Sequence, residues 1–128
     1  MKKLLVLLLL MVSTSVFAEW TEVGRNKKQT AYVDFGTIKK KGNKVKMWSL
    51  DDFNTIQKLE NYRYMSSLGN YEYDCEEETV RMLDLHWYSG NMGQGEIVYS
   101  EKNIKGETVS IVPRSIDEGL FKIACGKK

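Results

Sequence analysis

The only histidine of this 128-residue sequence, His86, stands two residues after Asp84 in a segment with the alternation of a β-strand. Side chains two apart on a strand share a face, so the carboxylate could orient the imidazole as a general base. The sequence has no nucleophile elbow, glycine-rich phosphate loop or zinc-ligand spacing to accompany the pair. We therefore interpret His86 as a structural residue and expect a protein that is not an enzyme and uses no cofactor.

Cys75 and Cys125 are the only cysteines, 50 residues apart. This spacing gives no Cys-x-x-Cys motif, and a single histidine gives little support to a zinc site. The N-terminal segment described below predicts export to an oxidising compartment, where such a pair is expected to form a bridge. A metal-binding pair and a redox dithiol are the alternatives; a structural disulfide is the interpretation that we favour.

Carboxylates are concentrated at Asp74 and at the three glutamates of residues 76–78. Clustered carboxylates can bind Ca²⁺, but this run lacks the glycine-containing pattern of a calcium loop. A solvated turn is the better interpretation, and we expect no metal site. Asp34, Asp51 and Asp52 could supply further carboxylates, yet turn-forming and capping roles explain them adequately.

A dense group of lysines falls within eight residues around a polar turn: Lys39, Lys40, Lys41, Lys44 and Lys46. On a hairpin they would share one end of the sheet, where such a patch attracts sulfated glycans, acidic lipids or acidic protein segments. The alternative is that they solubilise an edge strand and protect it from pairing. Trp48, Trp87 and Tyr88 complete the candidate binding surface, because exposed aromatic side chains suit protein–protein hot spots.

Most of the chain after residue 20 alternates between apolar and polar residues, which predicts short strands. The predicted extended segments are 20–23, 30–34, 44–50, 63–68, 71–75, 79–88, 96–100 and 108–112. Residues 39–43 are predicted as a polar turn, and residues 54–62 as a loop or a short helix. We expect a curved antiparallel sheet of about six strands.

The periodicity changes after Pro113. Ser115 stands three residues before Glu118, the arrangement of a capping box. An apolar stripe at helical spacing follows, formed by Ile116, Leu120, Ile123 and Ala124. This predicts a C-terminal helix that packs on the sheet, with a Cys75–Cys125 bridge tying the two together. Strands followed by a helix indicate an α+β fold.

Residues 1–18 have the three parts of a secretory signal: a positive start, a nine-residue apolar run and a small-residue cleavage pattern. The apolar run is too short to cross a membrane, which takes about 20 residues. We expect cleavage between Ala18 and Glu19. One mature domain, residues 19–128, would remain, without a transmembrane anchor.

Removal of this segment changes the charge balance. Lys2 and Lys3 are lost, so Lys+Arg falls from 19 to 17 and equals the 17 acidic residues. A nucleic-acid-binding protein normally keeps a basic excess, so this balance argues against nucleic acid as a partner.

Several short segments occur in a characteristic order. They are Trp20, Tyr32-Val33-Asp34, Lys46-Met47-Trp48-Ser49-Leu50-Asp51-Asp52-Phe53, Glu72-Tyr73-Asp74-Cys75, Tyr88, Met92, Gly95 and Cys125. Together they resemble the surface-adhesin protein E-like family over nearly all of residues 20–125. The resemblance implies a small exported protein of Gram-negative bacteria, with a C-terminal helix tied to an antiparallel sheet by a disulfide. It also implies binding of host extracellular-matrix proteins, for which the family is named.

We therefore expect an exported, non-catalytic binding protein whose partner is a protein, such as a host extracellular-matrix protein. The alternative is a soluble periplasmic inhibitor or regulator of an envelope enzyme, of the lysozyme-inhibitor type. The periplasm is the expected location, with the outer-membrane surface or secretion as alternatives. An exposed edge strand would also allow a homodimer by sheet extension.

Overall fold

The structure, a computed structural model, describes residues 19–127. Within this range lie eight strands and one α-helix. The strands are β1 (Thr21–Arg25), β2 (Gln29–Val33), β3 (Lys39–Lys41), β4 (Lys44–Leu59), β5 (Tyr62–Asp74), β6 (Thr79–Tyr88), β7 (Ile97–Glu101) and β8 (Val109–Ser110), and the helix is α1 (Ile116–Cys125). Short 3-10 turns occupy Phe35–Thr37 and Asn91–Gly93. The predicted export signal, with its Ala18 cleavage position, lies outside the described residues.

The strands form one antiparallel sheet with the order β1-β2-β4-β5-β6-β7. The short strand β3 pairs with the start of β4, and β8 pairs with the start of β6. The predicted antiparallel α+β fold is confirmed, with eight strands where about six were expected. One reason is the turn at residues 39–43: Gly42 adopts a left-handed φ of 62°. This closes the turn within two residues and frees Lys39–Lys41 to form β3.

The prediction of a loop or short helix at residues 54–62 was wrong. Most of these residues continue β4, which is 16 residues long and turns at Glu60 and Asn61 into β5. The register between β4 and β5 shifts between Asp52 and Gln57. Such a bulge interrupts the alternation of side chains, which is why the sequence pattern does not reveal the strand here.

The core lies on one face of the sheet, where alternate residues of β2, β4 and β5 meet α1. Its buried members are Val33, Val45, Met47, Tyr73, Leu120, Phe121 and Ala124. We call this the helix face. Full burial of a Val, Leu or Phe side chain contributes about 1.5–3 kcal/mol, so this cluster is the main stabilising contact between helix and sheet.

The N-terminal end of α1 confirms the boundary predicted at Ser115. Ser115 Oγ accepts a hydrogen bond from the Glu118 amide at 3.2 Å, as the capping box requires. At the other end Gly126 adopts a left-handed φ of 70° and ends the helix. Cys125, the last residue of α1, forms a disulfide with Cys75, just after β5, across a Cα–Cα distance of 5.7 Å. The predicted structural disulfide is confirmed.

The opposite face of the sheet is covered at its centre by the Asn91–Gly93 turn. Asp52 Oδ1 accepts hydrogen bonds from the Met92 amide at 2.7 Å and from Asn91 Nδ2 at 3.0 Å. Ser66 Oγ accepts from the Gly93 amide at 2.9 Å. The turn is thereby held over β4 and β5, where Leu50 is fully buried. Towards the start of β4 the same face is polar and carries the site described next.

Candidate functional site

A two-by-two array of lysines lies on the face opposite α1. Lys39 stands directly across from Lys46, and Lys41 directly across from Lys44, in the β3–β4 hairpin. All four are exposed, whereas the intervening Val45 is fully buried on the helix face. Cross-strand partners have Cβ atoms about 5 Å apart, and residues two apart along a strand are separated by about 7 Å. We call these four residues the lysine array.

The acidic neighbours of the lysine array are hydrogen-bonded to other groups. Within residues 19–127 none of its members forms a salt bridge. Glu72 is in register with Lys46 but accepts a hydrogen bond from Arg81 at 2.9 Å. Asp74 is in register with Lys44 but accepts two backbone amides of the following turn, each at 3.0 Å. Like charges directly opposite each other destabilise a sheet, so Lys39 and Lys46 repel each other, as do Lys41 and Lys44.

Trp48 continues this surface along β4. Its ring lies nearly parallel to that of His86, with an interplanar angle of 15° and centroids 6.0 Å apart. Asn70, on β5, is in register with Trp48 and with Asp84, and its Nδ2 donates to the Asp84 carboxylate at 3.3 Å. Asn70 Oδ1 is buried without a hydrogen-bond partner among the described residues. The Trp48 amide donates to Thr37 Oγ1 at 3.1 Å, which holds the Phe35–Thr37 turn beside the array.

Two cavities open along the lysine array. The first, of about 440 Å³, is lined by Gly36, Thr37, Lys39, Lys46, Trp48 and Asn70. The second, of about 360 Å³, is lined by Lys39, Lys40, Lys41, Lys44, Lys46 and Glu72. Both are lined by Lys39 and Lys46, so the two cavities adjoin each other at the hairpin, and Trp48 lines the first. We call the two cavities together the lysine groove.

The structure brings the five predicted lysines and Trp48 together but places the other two predicted residues elsewhere. Lys40 pairs with Val45 and lines the groove from the sheet edge. Trp87 is only 8% exposed, and its ring stacks on Tyr64 with centroids 4.2 Å apart. It is a packing residue, which corrects the expectation that it contributes to the surface. Tyr88 is in register with Ser66, beyond the Asn91–Gly93 turn, and does not reach the groove.

His86 is not paired with Asp84. Its Nδ1 is hydrogen-bonded to Ser100 Oγ at 2.7 Å, while the Asp84 carboxylate accepts from Asn70 Nδ2 and from the Asn103 amide at 3.2 Å. The carboxylate–imidazole pair considered from the sequence is therefore not formed. In the part of the chain that the structure describes, no three His, Cys, Asp or Glu side chains are grouped to hold a metal ion.

Asp51 does not have the turn or capping role predicted for it. It lies in the middle of β4, across from Ala31, and lines a separate cavity of about 550 Å³ between the β1–β2 hairpin and the start of α1. The pKa of its carboxyl is raised to about 6, mainly by burial and secondly by the Asp117 carboxylate, while a hydrogen bond with Gln29 acts in the opposite direction. Asp51 has the same alternation phase as buried Val45, which was the signal that could have placed it on the helix face.

The fold and the site define a disulfide-tied α+β domain with one helix-covered face and one basic face. The profile of the Surface-adhesin protein E family matches residues 20–126, so the chain belongs to this family. The resemblance predicted from the sequence is confirmed. Membership implies an exported protein of the cell envelope. No helix among residues 19–127 has the length and apolar character needed to cross a membrane.

Solved structures with the same fold include several of Haemophilus influenzae protein E. Crystal form II of that protein has a TM-score of 0.67 and 17% sequence identity, and the match covers 89% of this chain and 92% of that one. A second structure gives 0.64 at 18% identity, covering 89% of each chain. Protein E from non-typeable Haemophilus influenzae gives 0.62 at 17%, covering 89% of this chain and 80% of that one. No curated protein matches the chain in sequence.

Proposed function

We propose that this protein is an exported, non-catalytic adhesin that binds a host extracellular-matrix protein through the lysine groove. The observation that carries the proposal is the lysine array, none of whose members forms a salt bridge within residues 19–127. Such a patch attracts negatively charged partners and accelerates their association. Trp48, which lines one cavity of the groove, adds the partly buried aromatic side chain that is frequent in interface hot spots. Membership of a surface-adhesin family supports the same function.

The groove lies on a preformed surface. Lys44 and Lys46 alternate with Val45 and Met47, which are fully buried under α1. The strand that presents the lysines is therefore fixed by the core, and α1 is fixed in turn by the disulfide at Cys125. A binding surface that is rigid before association loses less conformational entropy when the partner binds.

The test is binding of purified residues 19–128 to a panel of immobilised matrix proteins. A Lys39→Glu/Lys41→Glu variant reverses two charges on the exposed edge strand and should lose most of the binding. The matched control is Lys27→Glu/Lys28→Glu, which makes the same charge change at two exposed residues of the β1–β2 turn. Binding that is absent for every matrix protein, or that both variants weaken equally, would contradict the proposal.

Binding of a host protein also requires that the groove faces outward from the cell. The array lysines are exposed amines, so a membrane-impermeant amine-reactive label should modify them on intact cells. Labelling of intact cells supports display on the outer surface. Labelling only after the outer membrane is opened would place the protein in the periplasm and favour the alternative, an inhibitor or regulator of an envelope enzyme.

A further inference from the structure

We propose that the lysine groove binds a sulfated polysaccharide of the type found in the glycosaminoglycans of the host matrix. This inference rests on the proposed function, because it names the ligand chemistry that the same groove would take. The observation that supports it is that the lysine array and the aromatic ring of Trp48 lie side by side in the lysine groove.

The arrangement of the charges matches a linear polyanion. Lys39 and Lys41 form one row on β3, and Lys44 and Lys46 form a second row on β4, directly opposite. Two adjoining cavities, which share Lys39 and Lys46, lie beside these rows. Sulfate groups repeat along both sides of a linear polysaccharide, so two parallel rows of cations can pair with several of them at once.

The cations that line the two cavities of the groove are all lysines, and no arginine is among them. Arginine presents a planar fork that matches a carboxylate with two parallel hydrogen bonds, whereas lysine is a point charge on a flexible stem. Four exposed ammonium groups can follow the varied positions of sulfates along a chain.

Trp48 gives the groove a contact that charge alone does not supply. Its ring is nearly parallel to the His86 ring, and it forms one wall of the larger cavity, with Lys39 and Lys46 beside it. A pyranose ring has an apolar face of C–H groups that packs well on a flat indole. A sugar seated on Trp48 would bring the sulfates of the neighbouring sugars to the lysine rows.

Repulsion between the facing lysines of the array strengthens the expectation. Lys39 faces Lys46 and Lys41 faces Lys44, while Glu72 is bonded to Arg81 and Asp74 to its own turn. A bound polyanion places negative charge between these cations. Because the ligand binds the folded array and not the unfolded chain, it should also raise the melting temperature.

The experiment uses residues 19–128 and a heparin oligosaccharide, with affinity measured calorimetrically over a range of NaCl concentrations. A variant with glutamine at all four positions of the lysine array should bind about tenfold or more weakly. Protein binding to DNA, which is also a polyanion, provides the analogy: each lost lysine contact should reduce the slope of log affinity against log salt by about one. The matched control replaces Lys27, Lys28, Lys102 and Lys105, all exposed and outside the groove, with glutamine and should change affinity by less than about twofold.

A Trp48→Leu variant, with its fold checked by circular dichroism, should weaken heparin binding and leave the salt slope unchanged. The inference is overturned if desulfated heparin binds equally well, or if the control variant loses as much affinity as the array variant. It is also overturned if polyglutamate binds more tightly than heparin, which would identify an acidic protein segment as the ligand. Matrix-protein binding without heparin binding overturns only this inference; heparin binding without matrix-protein binding contradicts only the proposed function.

Discussion

The aromatic ring of Tyr71 covers the α-carbon of Gly69, two residues earlier on β5. A Cβ atom at position 69 would stand 2.5 Å from Tyr71 Cε2, closer than real Cβ contacts allow. Gly69 is therefore the residue that lets this tyrosine lie flat against the sheet on the helix face. Tyr71 packs against the core cluster, so its placement matters for stability.

The first prediction follows from that contact. Gly69→Ala should lower the free energy of unfolding by about 1–3 kcal/mol, because the ring of Tyr71 must move out of a packed position. Urea-induced unfolding measures the effect. Gly24→Ala is the control: a Cβ there meets nothing within 4 Å, so stability should change little. Equal effects of the two changes would contradict the role assigned to Tyr71.

The second prediction concerns pH and Asp51. Burial raises the pKa of Asp51 to about 6 in the folded protein, so the fold binds this proton more tightly than the unfolded chain does. The stability from this group is fully present below pH ~4 and is lost as the pH rises through ~6. Asp51→Asn should therefore be more stable than the wild type at pH 7, on the order of 2 kcal/mol, with the difference vanishing near pH 4.

Chemical denaturation at a series of pH values measures this difference. Asp117→Asn is the comparison variant, because the Asp117 carboxylate is the second cause of the raised pKa. It should flatten the pH dependence less than Asp51→Asn does. Parallel stability curves for the wild type and Asp51→Asn would show that the carboxyl is not held in this state.

The third prediction concerns the disulfide. Cys75 and Cys125 enclose a loop of 50 residues, for which chain entropy gives a stabilisation of about 4 kcal/mol. A Cys75→Ser/Cys125→Ser variant should melt at a lower temperature than the wild type. Reductant should lower the melting temperature of the wild type and leave that of the variant unchanged. A wild-type melt that is insensitive to reductant would contradict the expected contribution.

The fourth prediction concerns the turn that covers Leu50. Asp52 Oδ1 accepts the Met92 amide and Asn91 Nδ2, so Asp52→Ala removes both acceptor contacts. We expect a loss of about 1–3 kcal/mol and faster hydrogen exchange at the Met92 amide. Asp52→Asn retains one carbonyl acceptor, so its stability should lie between those of the wild type and Asp52→Ala. Unchanged exchange in Asp52→Ala would show that the turn is held by other contacts.

The fifth prediction isolates the repulsion within the lysine array. Lys41 stands directly across from Lys44, so Lys41→Glu converts a like-charge pair into an attractive one. Stability at low salt should rise by about 0.2–1 kcal/mol, and the gain should shrink in 1 M NaCl, where the screening length is about 3 Å. Lys102→Glu, at an exposed residue outside the sheet, provides the control. A gain that is independent of salt would not be electrostatic.

The local patterns predicted the helix and its disulfide well, for physical reasons. The Ser115 cap and the residues of the apolar stripe lie within a few residues of one another, so the local sequence is enough to predict the helix. The disulfide could be predicted from the expected oxidising compartment alone, because two cysteines allow only one pairing. The lysine groove was partly predicted: alternation of Lys44 and Lys46 with apolar residues implied one wet face.

The remaining features depend on contacts between distant residues. Trp87 and Trp48 lie on similar alternating segments, yet one is enclosed by Tyr64 and the other borders a cavity. Only the sheet order decides which aromatic ring is covered. Asp51 likewise resembles a capping residue until the pairing of β4 with β2 places it beneath the start of α1. The bulge between Asp52 and Gln57 interrupts the alternation of side chains, so the second half of β4 could not be predicted from the sequence pattern.

The link between Cys75 and Cys125 also sets how the chain responds to mechanical load. It closes a covalent ring that contains β6, β7, β8 and α1. If the molecule is pulled by its two ends, force passes through the sulfur–sulfur bond and the ring cannot unravel. The 50 residues of the ring would otherwise add roughly 170 Å of length, since an extended chain spans about 3.4 Å per residue. Under load, the chain would therefore lengthen mainly through the segment before Cys75.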